Sequence, residues 1–226
     1  MGPILGGRDE LIVEGEAPWS DTSGRDVGHV VHRVLETADL TRALDRAASV
    51  SAIGRAALEL GIELPAGAQE RAGSLVRAFW VSQVAAAPGL GLARREVPFV
   101  MREEGVLVHG FLDLLLETPQ GWWVVDYKTN RLDGRSLLEA GAHYELQMEL
   151  YGLAGLRTGA RQARVSLLFL ESPRSLHEHT FVSSDVQEIQ GRLRRRLESL
   201  RSGDFSGEAE DCTGCALGPV CRALWP

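Results

Sequence analysis

Lysine is nearly absent from this 226-residue chain. Lys and Arg together number 24, and Lys128 alone among them is lysine. The sequence uses Arg wherever generic positive charge will do. A lysine is a compact point charge on a flexible stem whose pKa shifts readily on burial, so a lone one suggests a chemical task. The same scarcity excludes a Gly-x-x-x-x-Gly-Lys-Ser/Thr phosphate loop, and with it a recognisable nucleotide-driven motor within this sequence. No run of about 18 uninterrupted apolar residues is present, so no membrane span is expected. The N-terminus lacks a basic region followed by an apolar core, so no signal peptide is expected and a cytoplasmic location follows by default. Positive charge is also short overall. The formal net charge is −7, which argues against coating nucleic acid by bulk charge. Residues 131–201 run the other way, with 11 Arg against 9 Asp and Glu.

Against this background Val108 to Thr129 stands out. It reads as two buried strands joined by a Pro-Gln-Gly turn. Both are mostly apolar, yet the first carries Asp113 and the second ends Asp126-Tyr127-Lys128. Residues two apart on a strand share a face, so Asp126 and Lys128 project one way and Tyr127 the other. Carboxylates and an ammonium in apolar strands are costly unless paired or metal-bound. A hard divalent cation with oxygen ligands would relieve the carboxylates. A structural salt bridge from Lys128 to Asp126 or Asp113 is the plainer alternative.

The ordered set Gly110-x-x-Asp113, Asp126-Tyr127-Lys128-Thr129 and Tyr144-x-x-Gln147-x-x-x-Tyr151 resembles the nuclease domain of the RecB/AddA family, within the PD-(D/E)XK nucleases. Gly28-His29-Val30-Val31-His32-Arg33-Val34-Leu35-Glu36 looks like that family's N-terminal helix motif, and Arg95-Glu96-Val97-Pro98-Phe99 like its first strand. The resemblance implies an α/β fold with a restriction-endonuclease-like αβββαβ core, a mixed central sheet flanked by helices. It implies a DNA nuclease, acting as an exonuclease in end processing and recombinational repair. Mg2+ or Mn2+ would be held by His32, Asp113, Asp126 and the Tyr127 carbonyl, with Lys128 acting on the attacking water. Gln147 and Tyr151 would position the strand. Glu96 is either a further metal-site carboxylate or a strand-end charge near Arg94 or Arg95, and Tyr144 is a further site candidate. Single-stranded or duplex DNA ends would be the first partner. A helicase motor, in the same chain or a separate one, would be the second. The competing reading is a catalytically idle module that binds DNA or a helicase.

In chain order, residues 1–23 form a lead-in with a short strand near Leu11–Val13, and residues 24–226 form the nuclease domain. A helix capped at Ser23 or Asp26 runs to about Glu36. Residues 41–87 are Ala- and Leu-rich with helical spacing and form a helical subdomain over one side of the sheet. Residues 136–157 form one helix with Tyr144, Gln147 and Tyr151 on a stripe; core tyrosines with one exposed Gln would give the same pattern. Arg164–Leu170 and His177–Val182 read as strands, followed by a helix from Asp185 whose arginines mark a solvated face or a phosphate track. The tail, 202–226, holds all three cysteines, Cys212, Cys215 and Cys221. Clustered thiols suggest metal ligation, but an iron–sulfur cluster and structural zinc both want four ligands. The absent fourth cysteine argues against a cluster.

Overall fold

The structure is a computed structural model, and it describes residues 4–5, 10–13, 22–103 and 105–202. The cysteine tail therefore lies outside the described residues. Strands β1 (Ile4–Leu5) and β2 (Glu10–Val13) lead in. Helices α1 (Thr22–Thr37), α2 (Arg46–Leu60) and α3 (Ala66–Phe79) follow. Then come β3 (Arg94–Glu103), β4 (Val106–Thr118) and β5 (Gly121–Lys128). Helices α4 (Leu137–Ala142) and α5 (Glu145–Arg157) precede β6 (Gln162–Phe169), β7 (His177–Val182) and α6 (Val186–Ser202). The run α1-β3-β4-β5-α5-β6 is the expected αβββαβ core. The sheet is mixed: β5 and β6 are parallel, as are β2 and β4, while β3–β4, β4–β5 and β6–β7 are antiparallel.

Each face of the sheet buries its own core. On one side α1 presents Val27, Val30, Val31, Val34 and Leu35, the spacing of a single helical stripe. With α3 it covers Leu114, Leu116, Val125 and Tyr127. On the other side α5 covers Leu112, Leu115, Val124, Val165 and Leu167 through Met148, Tyr151 and Leu153. The two faces of β5 thus alternate as the sequence predicts. The turn between β4 and β5 needs Gly121: its φ is 146°, and a Cβ there would lie 2.1 Å from the Gln162 carbonyl oxygen, far inside contact distance.

Two expectations need correcting. The expected helix over 136–157 is two helices, broken at His143–Tyr144. Tyr144 sits at φ −109°, ψ 8°, outside helical values. The break lets α4 dock on β7, where a Cβ on Gly141 would meet the His177 ring at 2.5 Å, while α5 takes its own line across the sheet. The first helix includes both expected caps, Ser23 and Asp26, because it begins at Thr22. Its far end is closed by a residue from another element. Arg95 on β3 donates to the carbonyls of Glu36 and Ala38 at 2.8 and 2.5 Å, satisfying acceptors that a helix C-terminus leaves open.

Candidate active site

The site forms where β4 and β5 part. They pair from Thr118 and Gly121 as far as Leu114 and Val125, and there the ladder stops. The next carboxylate takes over from the backbone. Asp113 Oδ2 accepts the Tyr127 N–H at 2.7 Å. The Tyr127 carbonyl is reached by His32 Nε2 of α1 at 3.0 Å, and His32 Nδ1 lies 3.5 Å from Asp113 Oδ1. A buried peptide group needs partners, and here both come from side chains that the sequence marked for chemistry.

On the other edge of β4 the backbone is distorted at the same level. Glu96, opposite Asp113 by register, has φ 46°, a region that non-glycine residues seldom occupy. Both strands change faces there. Arg95 and Leu114 point towards the α1 side, while Val97 and Leu112 point towards α5. In a regular strand residues two apart agree. The switch brings Glu96 into a group with His32 and Asp113 whose ligand atoms all lie within 4.8 Å of one another.

Asp126 and Lys128 face α5 and are both almost fully buried. Their contacts close a ring. Lys128 Nζ lies 2.7 Å from Asp126 Oδ2 and donates to Gln147 Oε1 at 2.8 Å. Gln147 Nε2 donates to the Tyr151 hydroxyl at 2.8 Å, which donates to Asp126 Oδ1 at 3.2 Å. The ammonium can only donate and the carboxylate can only accept, so the direction of every bond in the ring is set. Tyr144 contributes its ring face, with Nζ 3.8 Å from the centroid, a cation–π contact. Its hydroxyl donates to Asn130 at 3.0 Å.

The electrostatics are those of crowded carboxylates. Burial, with the negative charge of Asp113 behind it, pushes Glu96 up to about 7. Burial also raises Asp126 to about 6, with Asp113 adding and Lys128 opposing. For Asp113 burial works upward, but His32 and the Tyr127 N–H outweigh it and hold the acid below its usual range. An imidazole, nearby carboxylates and a backbone carbonyl suit a divalent cation such as Mg2+ or Mn2+. His32, Asp113 and Tyr127 therefore gather as expected and Glu96 joins them. Asp126 belongs instead to the lysine ring, and that ring engages Gln147, Tyr151 and Tyr144. Two residues were not singled out in the sequence. Asn130 anchors Tyr144, and Arg71 on α3 donates to the Thr129 carbonyl at 2.6 Å, immediately after Lys128. The adjacency of Asn130 to the Asp-Tyr-Lys-Thr stretch was its only hint; Arg71 had none.

Residues 9–222 match the family model described as the PD-(D/E)XK nuclease superfamily. One component of the ATP-dependent helicase/nuclease of Bacillus licheniformis is 35% identical over 86 residues, covering 29% of this chain and 7% of that protein. Its counterpart from Bacillus velezensis is 39% identical over 77 residues, covering 25% and 6%. The matches thus span less than a tenth of these relatives' length. Among solved structures, a Eubacterium rectale protein named as a candidate exonuclease aligns with a TM-score of 0.50 at 12% identity, covering 82% of this chain and 70% of that one. That likeness concerns the fold.

Proposed function

Because the chain belongs to the PD-(D/E)XK nuclease superfamily, we propose that it is a divalent-metal-dependent DNA nuclease of RecB/AddA type. The observation that carries this reading is the meeting of His32, Glu96, Asp113 and the Tyr127 carbonyl at the strand fork, beside a buried Asp126–Lys128 pair. A bound Mg2+ or Mn2+ would supply a water of lowered pKa and offset charge on the scissile phosphate.

The chain's own residues do the rest. His32, Asp113 and the Tyr127 carbonyl would hold the cation, with Glu96 and Asp126 as flanking carboxylates. Lys128 places a positive charge beside the phosphate as negative charge builds on it, in a site with little water, where such a charge counts most. The Gln147–Tyr151 arm keeps the ammonium from rotating away, and Tyr144 walls off its other side. Fixing the donor before the reaction avoids reorganisation during it.

The reading includes exonucleolytic processing of DNA ends in recombinational repair, with a helicase motor as partner. The chain would serve either alone or as the nuclease part of a longer helicase–nuclease. Purified protein incubated with linear single- and double-stranded DNA should cleave with Mg2+ or Mn2+ and stop with EDTA. The Lys128→Ala protein should be inactive. Cleavage that persists in EDTA, or in Lys128→Ala, would contradict the reading.

A further inference from the structure

The change of face at Glu96 and Asp113 has an effect further along the β3–β4 hairpin. Beyond that level Val97, Phe99 and Met101 pack towards α5 and α6. Among the described residues the opposite face is left open. Phe111 is 54% exposed and Val100 66% exposed, and Phe111 pairs across the ladder with Pro98, itself exposed. Single exposed apolar residues need no explanation. This group is contiguous, however, and it ends two residues from Asp113, about 7 Å along the strand.

We propose that Phe111 is a stacking platform for a nucleobase, seating a splayed, unpaired nucleotide next to the phosphate held at the fork. This rests on the nuclease reading and adds to it a preference for single-stranded substrate. Three features favour a base over a protein partner. The patch is a few side chains, whereas a stable protein interface takes roughly 800 Å² per partner. It lies two residues along β3 and β4 from Glu96 and Asp113, within reach of a strand whose phosphate sits at the cluster. An aromatic face flanked by a proline also suits any base, since every base offers a π-face. A base inside a duplex is already stacked on its neighbours and gains nothing from the ring.

The test uses the whole chain in EDTA, where no cleavage occurs. The probes are a short single-stranded oligonucleotide with 2-aminopurine near its end and the matching duplex. Wild type and Phe111→Trp should bind the single strand and quench the 2-aminopurine. Phe111→Leu, which keeps apolar bulk without a π-face, and Phe111→Ala should bind it about ten-fold or more weakly and lose the quenching. Duplex affinity should be unchanged in all four. Equal single-strand binding and quenching by Phe111→Leu and Phe111→Trp would overturn the stacking role while leaving the nuclease reading in place. A wild-type protein that binds neither probe and cleaves no DNA when Mn2+ is supplied would overturn both.

Discussion

Helix α5 borders two buried charge networks, and they differ in kind. Towards α6, Glu149 meets Arg192 at 2.6 Å. Nearby, Glu103 meets Arg157 at 2.5 Å and accepts from Gln190 at 2.7 Å. Both carboxylates are buried, but the arginines are 33% and 48% exposed. Each cation keeps part of its hydration; Arg192 also meets Glu188, but that second acid is 74% exposed and stays in water, so no two buried carboxylates share a cation here. Towards β5, Asp126 and Lys128 are both buried to within 2%, and Asp113 and Glu96 add negative charge to the same neighbourhood. Burial of a salt bridge is weak evidence for a stability role, and by itself it does not separate these networks. Crowding of like charge does. The first network joins α5 and β3 to α6. The second keeps an arrangement that folding alone would not favour, which is the pattern expected of a reacting site.

The largest effect should come from breaking the second network. Asp126→Asn keeps the size of the side chain and an acceptor for Tyr151. It should cut the cleavage rate by about a hundred-fold or more while the circular dichroism spectrum stays that of wild type. A variant with both normal turnover and a normal spectrum would place Asp126 with the structural pairs. The opposite profile is expected for Glu149→Ala. It takes away one partner of Arg192, which keeps Glu188 and some of its water, so stability should fall by about 1–3 kcal/mol in urea unfolding. The activity of the folded fraction should hold.

A smaller effect tests packing on the same helix without touching charge. A Cβ on Gly152 would lie 2.3 Å from the Phe181 ring. Gly152→Ala should therefore cost about 1–3 kcal/mol by overpacking, read as a lower urea midpoint. The smallest concerns Glu96. Glu96→Gly removes a side chain from a positive φ and relieves about 1 kcal/mol of backbone strain, partly offset by the freedom glycine gains in the unfolded chain. Stability should change little, while Mn2+ affinity falls. A large loss of stability would show that Glu96 supports the hairpin instead.

Much of this was legible beforehand, for local reasons. Strand alternation alone placed Asp126 and Lys128 on one face and Tyr127 on the other, and the strands carrying Asp113 and Asp126 followed from apolar runs joined by a turn, while the family resemblance supplied the first strand. The rarity of lysine singled out Lys128 before any fold was known. What escaped the sequence depends on contacts between distant elements. Nothing local to Glu96 announces a positive φ, which arises where two strands change faces together. Helical spacing from 136 to 157 ran on without a stop signal, and the break at His143–Tyr144 reflects two docking surfaces with different directions. Arg95 entered only as a residue of the first strand beside Glu96, yet it closes α1, about sixty residues away in the chain. Arg71 sits in a helix with no motif and meets Thr129 only after folding.

The account turns on the fork holding a divalent cation, and calorimetric titration with Mn2+ asks that directly. Wild type should show saturable binding. Asp113→Asn should abolish or sharply weaken it, and Glu149→Gln should leave it unchanged. Absence of saturable binding in the folded wild-type protein, or equal binding by Asp113→Asn, would contradict the account and leave the Asp126–Lys128 pair as a structural salt bridge.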